Sequence, residues 1–345
     1  VGDFDAHGAT SVALFMRALT VMGASRVHFM VPNRFHDGYG LSPNLVLQAH
    51  AAQTNLIITV DNGVSSFDAV EEAKKCNIDV IITDHHLTGE RIPEAYAMVN
   101  PNQPSCSFAS NALAGVGVTF YVLMALRAWF RNQHPNHHAA GVNLAQWLDL
   151  VAVGTVADVV PLDYNNRILV QQGVARIRQG LCIPGITALP QVAKREPGKL
   201  QAHDLGFTVG PRINAAGRLD DMQKGIDCLL TNDANEAHEH ALRLDELNRS
   251  RRTIEQGMQE DAEKILAAFE LNAASFPRIL TVYDPEWHQG VSGILAGRLK
   301  ERFHRPVIAF ADAGDNLLKG SARSIPGLHI RDLLERVHTL VPDCI

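Results

Sequence analysis

The chain has no Cys-x-x-Cys pair. Its five cysteines, Cys76, Cys106, Cys182, Cys228 and Cys344, are scattered along 345 residues, a spacing that speaks against a zinc ribbon or a disulfide framework and predicts reduced thiols. Uncharged apolar runs of about 18 residues are missing, as is any basic, apolar, small-residue sequence of the signal-peptide kind. A cytoplasmic protein away from the membrane is the expectation. Positive charge is not in excess: the net charge of −6 argues against a protein that coats nucleic acid electrostatically, while allowing a local basic groove or phosphate capture through bound metal. With 46% hydrophobic and 20% charged residues, the composition is that of a globular protein long enough for two or three domains.

Acidic clusters follow short apolar or strand-opening runs three times in the first hundred residues: Val1-Gly2-Asp3-Phe4-Asp5-Ala6-His7, Leu56-Ile57-Ile58-Thr59-Val60-Asp61-Asn62-Gly63 and Val80-Ile81-Ile82-Thr83-Asp84-His85-His86. Parallel strands would bring these endings to one sheet edge, where open α/β sheets bind ligands. Oxygen and imidazole donors gathered there suit Mn²⁺ or Mg²⁺. Alternate residues of an extended strand share a face, so Asp3, Asp5 and His7 can converge if the backbone stays extended. Asp61-Asn62-Gly63 alone is also ordinary turn chemistry. The histidines of Gln133-His134-Pro135-Asn136-His137-His138 read as a solvated loop rather than a metal site.

Helices are predicted near Gly8–Met22, Pro43–Ala52 and Ser66–Cys76, alternating with strands at Val27–Pro32, at the runs ending in Asp61 and Asp84, and at Ala95–Val99. That is the pattern of a parallel, doubly wound sheet. Helices then take over at Ala114–Gln133, Leu144–Ala157 and Asn166–Gln179. From Asn235 to Leu271 there is no proline and only Gly257, with charges interleaved, which predicts a helix of roughly 50 Å joining two lobes. Strands at Ile279–Tyr283 and Pro306–Phe310 flank a helix at Gly290–Phe303. The fold class is therefore α/β, with residues 1–234 as the first domain, 235–271 as connector and 272–345 as a smaller α/β domain. Val1 stands directly before the first acidic cluster and the chain stops soon after a helical pattern, so a piece of a longer protein is expected.

Four segments carry a resemblance. Asp3-Phe4-Asp5-Ala6, Val60-Asp61-Asn62-Gly63, Asp84-His85-His86 and Thr155-Val156-Ala157-Asp158-Val159-Val160-Pro161-Leu162 stand in the order of the motifs of the DHH phosphoesterase superfamily. Pro32-Asn33-Arg34-Phe35 with Asp37-Gly38-Tyr39-Gly40-Leu41, the run Gly210 to Leu219, and Trp287-His288-Gln289-Gly290-Val291 resemble its branch of single-strand-specific exonucleases. The resemblance implies a centre of two Mn²⁺ or Mg²⁺ ions held by Asp5, His7, Asp61, His85 and Asp158, with Asp61 bridging and Asp3 close by. It further implies that Asp84 orients His85 and that His86 contacts the scissile phosphate. One position departs from the pattern, because His7 stands where the family's first motif has its third aspartate. A neutral imidazole replaces an anionic oxygen there, so affinity for a hard cation is expected to fall. Val1 stands where other members carry a further histidine.

On the substrate side, Arg212, Asn214 and Arg218 lie in a Gly- and Ala-rich segment suited to consecutive phosphates, with pairing of Arg218 to Asp220 or Asp221 as the plain structural alternative. Trp287, His288 and Gln289, and Lys319, Ser321 and Arg323, resemble the family's accessory DHHA1 domain, which grips nucleic acid. The family's Gly-Gly-His motif and an oligonucleotide-binding barrel are expected after residue 345. The activity implied is metal-dependent 5′→3′ hydrolysis of single-stranded DNA to 5′-mononucleotides in repair and recombination, with duplex excluded by a narrow groove. A monomer working with a single-strand-binding protein and a helicase is the matching expectation for partners. Two alternatives stay open: a phosphodiesterase of the same superfamily for oligonucleotides or cyclic dinucleotides, and a nucleic-acid-binding module weakened in catalysis by His7.

Overall fold

The computed structural model describes residues 1–89, 91–270, 277–314 and 317–341. Cys344 and the end of the expected connector at Leu271 lie outside them. Two compact units are formed, Val1–Asn248 and Arg249–Ile345.

The first unit opens with residues laid beside a strand. The amino group of Val1 donates to the carbonyl of Ile58 (2.7 Å) and Val60 N–H donates back to Val1 (2.9 Å). Helix α1 (Ala6–Val21) starts at once, earlier than Gly8, because Asp5 is an N-cap: extended backbone, with a carboxylate that accepts from Gly8 N–H and satisfies one orphan donor of the first turn. The run Val27–Pro32 is not a strand. Among the described residues a single backbone bond, Gly2 N–H to Met30 O (3.0 Å), stands where a strand would have a ladder.

After α2 (Pro43–Ala51) come β1 (Leu56–Val60), α3 (Phe67–Lys75), β2 (Asp79–Thr83) and β3 (Ala97–Val99), with all three strands parallel in the order β1-β2-β3. Val60 pairs with Thr83, so the next residues, Asp61 and Asp84, end neighbouring strands side by side about 5 Å apart. The sheet thus delivers two carboxylates to one edge.

Helices α4 (Gly115–Gln133), α5 (Leu148–Ala157), α6 (Tyr164–Arg178) and α7 (Pro184–Val192) build the larger core. All residues of α5 from Leu148 to Thr155 are buried, as expected of a helix that is apolar on every side. It runs through the core and hands over Asp158. A continuous stretch follows: α8 (Ala202–Asp204), a single π turn (Leu205–Val209) and α9 (Gly210–Leu219). That last segment, Gly- and Ala-rich, is a helix pressed on the first acidic cluster, so tightly that a side chain at Gly217 would come within 2.0 Å of the Phe4 carbonyl.

Helix α10 (Gln223–Leu230) leads to α11 (Ala234–Glu270), 37 residues and about 55 Å at ~1.5 Å per residue. In the second unit β4 (Leu280–Tyr283), α12 (Ser292–Phe303), β5 (Val307–Asp312), β6 (Leu318–Arg323) and α13 (Ile330–Leu340) follow. β4 and β5 are parallel, and β6 is added antiparallel. Strand β6 is not foreseen from the sequence, because its Lys-Gly-Ser-Ala-Arg composition carries little strand propensity.

Candidate metal centre

Four elements meet at the sheet edge. Asp5 caps α1, and His7 rides in the first turn, where helical side chains lean back toward the N-terminus. Its ring therefore returns to the acidic cluster, with Nδ1 3.0 Å from Asp5 Oδ1 and 2.8 Å from Asp61 Oδ2, and Nε2 3.7 Å from Asp158 Oδ1. His85 Nε2 stands 3.1 Å from Asp61 Oδ1 and 3.4 Å from Asp158 Oδ2. The convergence of Asp5 and His7 comes from a helix cap, not from the strand alternation expected.

Asp61 and Asp3 are 0% and 1% exposed. Among the described residues, Asp3 Oδ1, Asp61 Oδ1, Asp158 Oδ2 and His85 Nε2 are buried without a hydrogen-bond partner. Carboxylate oxygens crowded together in a buried cluster without a full set of hydrogen bonds are costly, and a bound cation relieves that cost. Hard oxygen donors with imidazole nitrogens at these separations fit a divalent ion, and Asp5, His7 and Asp61 converge to within 4.8 Å.

The titration pattern follows from that crowding. Burial works against a charged His7, yet the carboxylates of Asp5 and Asp61 outweigh it and lift the imidazole well above its usual value. Burial also opposes the Asp61 carboxylate, but the His7 and His85 rings hold it below the usual range. Asp3 is raised by burial and by Asp5 next to it. In Asp158, burial outweighs the pull of the two imidazoles and raises the carboxyl.

Strain marks the same place. Asp61 and the β-branched Val159, just after Asp158, adopt positive φ (+67° and +62°), each costing on the order of 1–3 kcal/mol. The Tyr39 hydroxyl donates to the Asp61 carbonyl (3.2 Å) and lies 3.3 Å from His86 Nε2. Space is held open by Gly115, where a Cβ would sit 2.2 Å from Asp61 Oδ1. Tyr39 and Gly115 have no role in the expectations drawn from the sequence. The Gly-Tyr-Gly run is the available signal, since Gly38 and Gly40 both have positive φ and turn the ring toward the site.

One expected role changes hands. Asp84 Oδ1 accepts from His86 Nδ1 (2.7 Å) and from the backbone N–H of His85 and His86, while Oδ2 accepts from Val64 N–H. The side chain it orients is that of His86, not His85. Burial opposes protonation of His86, but this bond to Asp84 raises its pKa.

The expected substrate residues divide. Arg212 is buried, its guanidinium committed to Asp245 Oδ1 (2.7 and 2.9 Å) and the Thr208 carbonyl (2.7 Å). It ties α9 to α11 and presents no fork to solvent. Asn214 Oδ1 accepts from Ala6 N–H (2.8 Å) and so supports the start of α1. Arg218 is half-buried beside it. In the second unit Trp287 is core, 4% exposed, rather than an open stacking surface. His288 Nδ1 accepts from Gly290 N–H, and its pKa is lowered by burial. Gln289 is half-buried, and its carbonyl accepts from Ser292 Oγ. Ser321 Oγ lies 3.3 Å from Ser292 Oγ. A Cβ at Gly293 would be 3.2 Å from an Arg323 nitrogen, so Arg323 and Ser321 reach the first turn of α12. Lys319 lies four residues before Arg323 on the same strand.

Comparison with known proteins settles the lineage. The sequence profile of the DHH family, N-terminal domain, matches residues 1–155, and that of the DHHA1 domain matches residues 276–344. A crystal structure of exonuclease RecJ bound to manganese superposes with a TM-score of 0.80 at 33% identity, covering 97% of this chain and 79% of that one. The chain belongs to the RecJ family. Within that family, the single-stranded-DNA-specific exonuclease RecJ of Escherichia coli (strain K12) is 58% identical over 99% of this chain and 60% of its own length, and that of Bacillus subtilis (strain 168) is 34% identical over 99% of this chain and 41% of its own. The chain thus spans about 60% of the length of the first four of its RecJ relatives. RecJ from Thermus thermophilus, solved in complex with Mn²⁺, superposes with a TM-score of 0.80 at 32% identity, covering 98% of this chain and 46% of that one.

Proposed function

We propose that this chain carries the catalytic centre and part of the substrate grip of a metal-dependent exonuclease that degrades single-stranded DNA from its 5′ end to 5′-mononucleotides. The observation that supports it most is the convergence of Asp5, His7, Asp61, His85 and Asp158, with unpaired buried donor atoms between them. RecJ relatives bear the name single-stranded-DNA-specific exonuclease and have been crystallised with Mn²⁺ or Mg²⁺.

These five side chains would hold two divalent cations, which supply Lewis acidity at the phosphate and a water acidic enough to attack at neutral pH. The residues supply the rest. Asp61 offers one oxygen toward His7 and the other toward His85, the arrangement needed of a bridging carboxylate. Asp84 accepts a hydrogen bond from His86 Nδ1 and favours the doubly protonated ring, whose Nε2–H can then donate to a non-bridging phosphate oxygen. Asn214 and Tyr39 keep the Asp5 turn and the strained Asp61 peptide in place. In the second unit Ser321 and Arg323 at the N-terminus of α12, with Lys319 and Gln289, would take backbone phosphate. Cytoplasmic action on repair or recombination intermediates, as a monomer alongside a single-strand-binding protein and a helicase, completes the reading.

The test is digestion of end-labelled single strands by the whole protein with Mn²⁺. Early release of the 5′ label as mononucleotide, abolished in Asp61→Asn, is expected. Release from the 3′ end alone, or hydrolysis indifferent to Asp61, would overturn the proposal.

A further inference from the structure

We infer that His7 makes this centre discriminate against Mg²⁺ in favour of first-row transition ions, Co²⁺ and Zn²⁺ ahead of Mn²⁺. The inference rests on the metal centre proposed above and concerns which ion it prefers.

Around the central carboxylate the donors are nitrogen-rich. One oxygen of Asp61 faces His7 Nδ1 at 2.8 Å and the other faces His85 Nε2 at 3.1 Å. Asp5 and Asp158 complete a ring of three carboxylates and two imidazoles. A carboxylate at position 7 would give the ring a fourth negative charge and another hard oxygen. The imidazole removes that charge and offers a nitrogen instead. Mg²⁺ is small, dehydrates reluctantly and takes oxygen ligands, so it loses Coulomb attraction and gains little from the nitrogen. Later first-row ions bind imidazole well, with affinity rising from Mn²⁺ toward Co²⁺ and Ni²⁺, and recover in bonding what they lose in charge. Position matters as much as type. His7 stands inside the donor cluster, 18% exposed at its side chain, with Asp5 Oδ1 as close as 3.0 Å, so an ion taken up there meets its ring.

The experiment uses the whole protein stripped of metal, as wild type, His7→Asp, His7→Asn and Asp61→Asn. Calorimetric titration with Mg²⁺, Mn²⁺, Co²⁺ and Zn²⁺ gives the affinities, and visible absorption of the Co²⁺ form reports nitrogen ligation. The expected result is a Co²⁺-to-Mg²⁺ affinity ratio about tenfold or more higher in wild type than in either His7 variant, with a changed Co²⁺ spectrum in both. His7→Asn separates donor type from charge, and its metal-free melting curve controls for folding. Equal ratios in wild type and both His7 variants, with binding still lost in Asp61→Asn, would overturn the role of His7 and leave the centre standing. A uniform gain for every ion in His7→Asn would also overturn it, by showing that the ring only plugs the site. Binding unaffected by Asp61→Asn would instead overturn the metal centre itself.

Discussion

Among the described residues, two small sheets have the same number of strands and opposite chemistry. In the first, three parallel strands end together, and the residues just past them, Asp61 and Asp84, are completely buried acids. In the second, β6 runs antiparallel to β5 and lays Lys319 and Arg323 along an edge. Parallel strands share a polarity, so whatever follows each of them collects at one end and can be walled off by the crossover helices. An antiparallel edge strand spreads its side chains along its length in contact with water. Burial makes charge reactive, and exposure makes it a screened handle. Chemistry is thus expected of the first sheet and grip of the second.

The sharpest way to break the contrast is at the buried end. Asp61→Asn is expected to lower turnover by about a thousandfold, equivalent to roughly 4 kcal/mol, and to remove metal binding in a calorimetric titration. Arg212→Ala probes the first unit's framework: it takes from the buried Asp245 the guanidinium that holds it and should cost about 3 kcal/mol or more of stability, read by denaturant unfolding. Asp84→Asn releases His86 and should slow hydrolysis by about 10- to 100-fold with the fold intact by circular dichroism; an unchanged rate would exclude His86 from the site. Arg323→Ala belongs to the exposed sheet. It should weaken single-strand binding and lower the log–log salt slope by about 0.7, the value for one backbone phosphate left without its cation, while metal affinity stays the same. A slope equal to wild type would leave the second sheet without its proposed role.

The pH effect is the smallest and sharpens the electrostatic side. His7 has a folded pKa raised above its ordinary value of 6.5, so the folded state binds the extra proton and the stabilisation is fully present below that pH. It is lost as pH rises through the raised value. With metal removed by a chelator, the difference in melting temperature between wild type and His7→Asn should shrink from pH 6.5 upward. A difference that widens would reverse the sign argued for His7.

Much of the fold is legible in order along the chain. The runs ending at Asp61 and Asp84 announce themselves as strands by β-branched composition, and the charged, proline-free stretch announces α11. Boundaries differ where a side chain competes with periodicity: Asp5 caps α1 and starts it two residues before Gly8. The Gly210 to Leu219 run is legible in the sequence as a Gly- and Ala-rich segment open to a close backbone, and the structure makes it a helix whose small residues serve a close contact with Phe4. Arg212 resembles a phosphate ligand because an arginine's sequence neighbours do not reveal a partner 33 residues away.

Residue types and their order, by themselves, determined the donor inventory, the parallel sheet and the odd histidine at position 7, because local propensity and short motifs act over a few residues. Tertiary structure alone decided how those donors are used: which histidine Asp84 holds, that Arg212 is spent on Asp245, and that the rings of His7 and His85 face opposite oxygens of one carboxylate. Such pairings join residues far apart in the chain, and only packing fixes the distance and direction on which a hydrogen bond or an ion site depends.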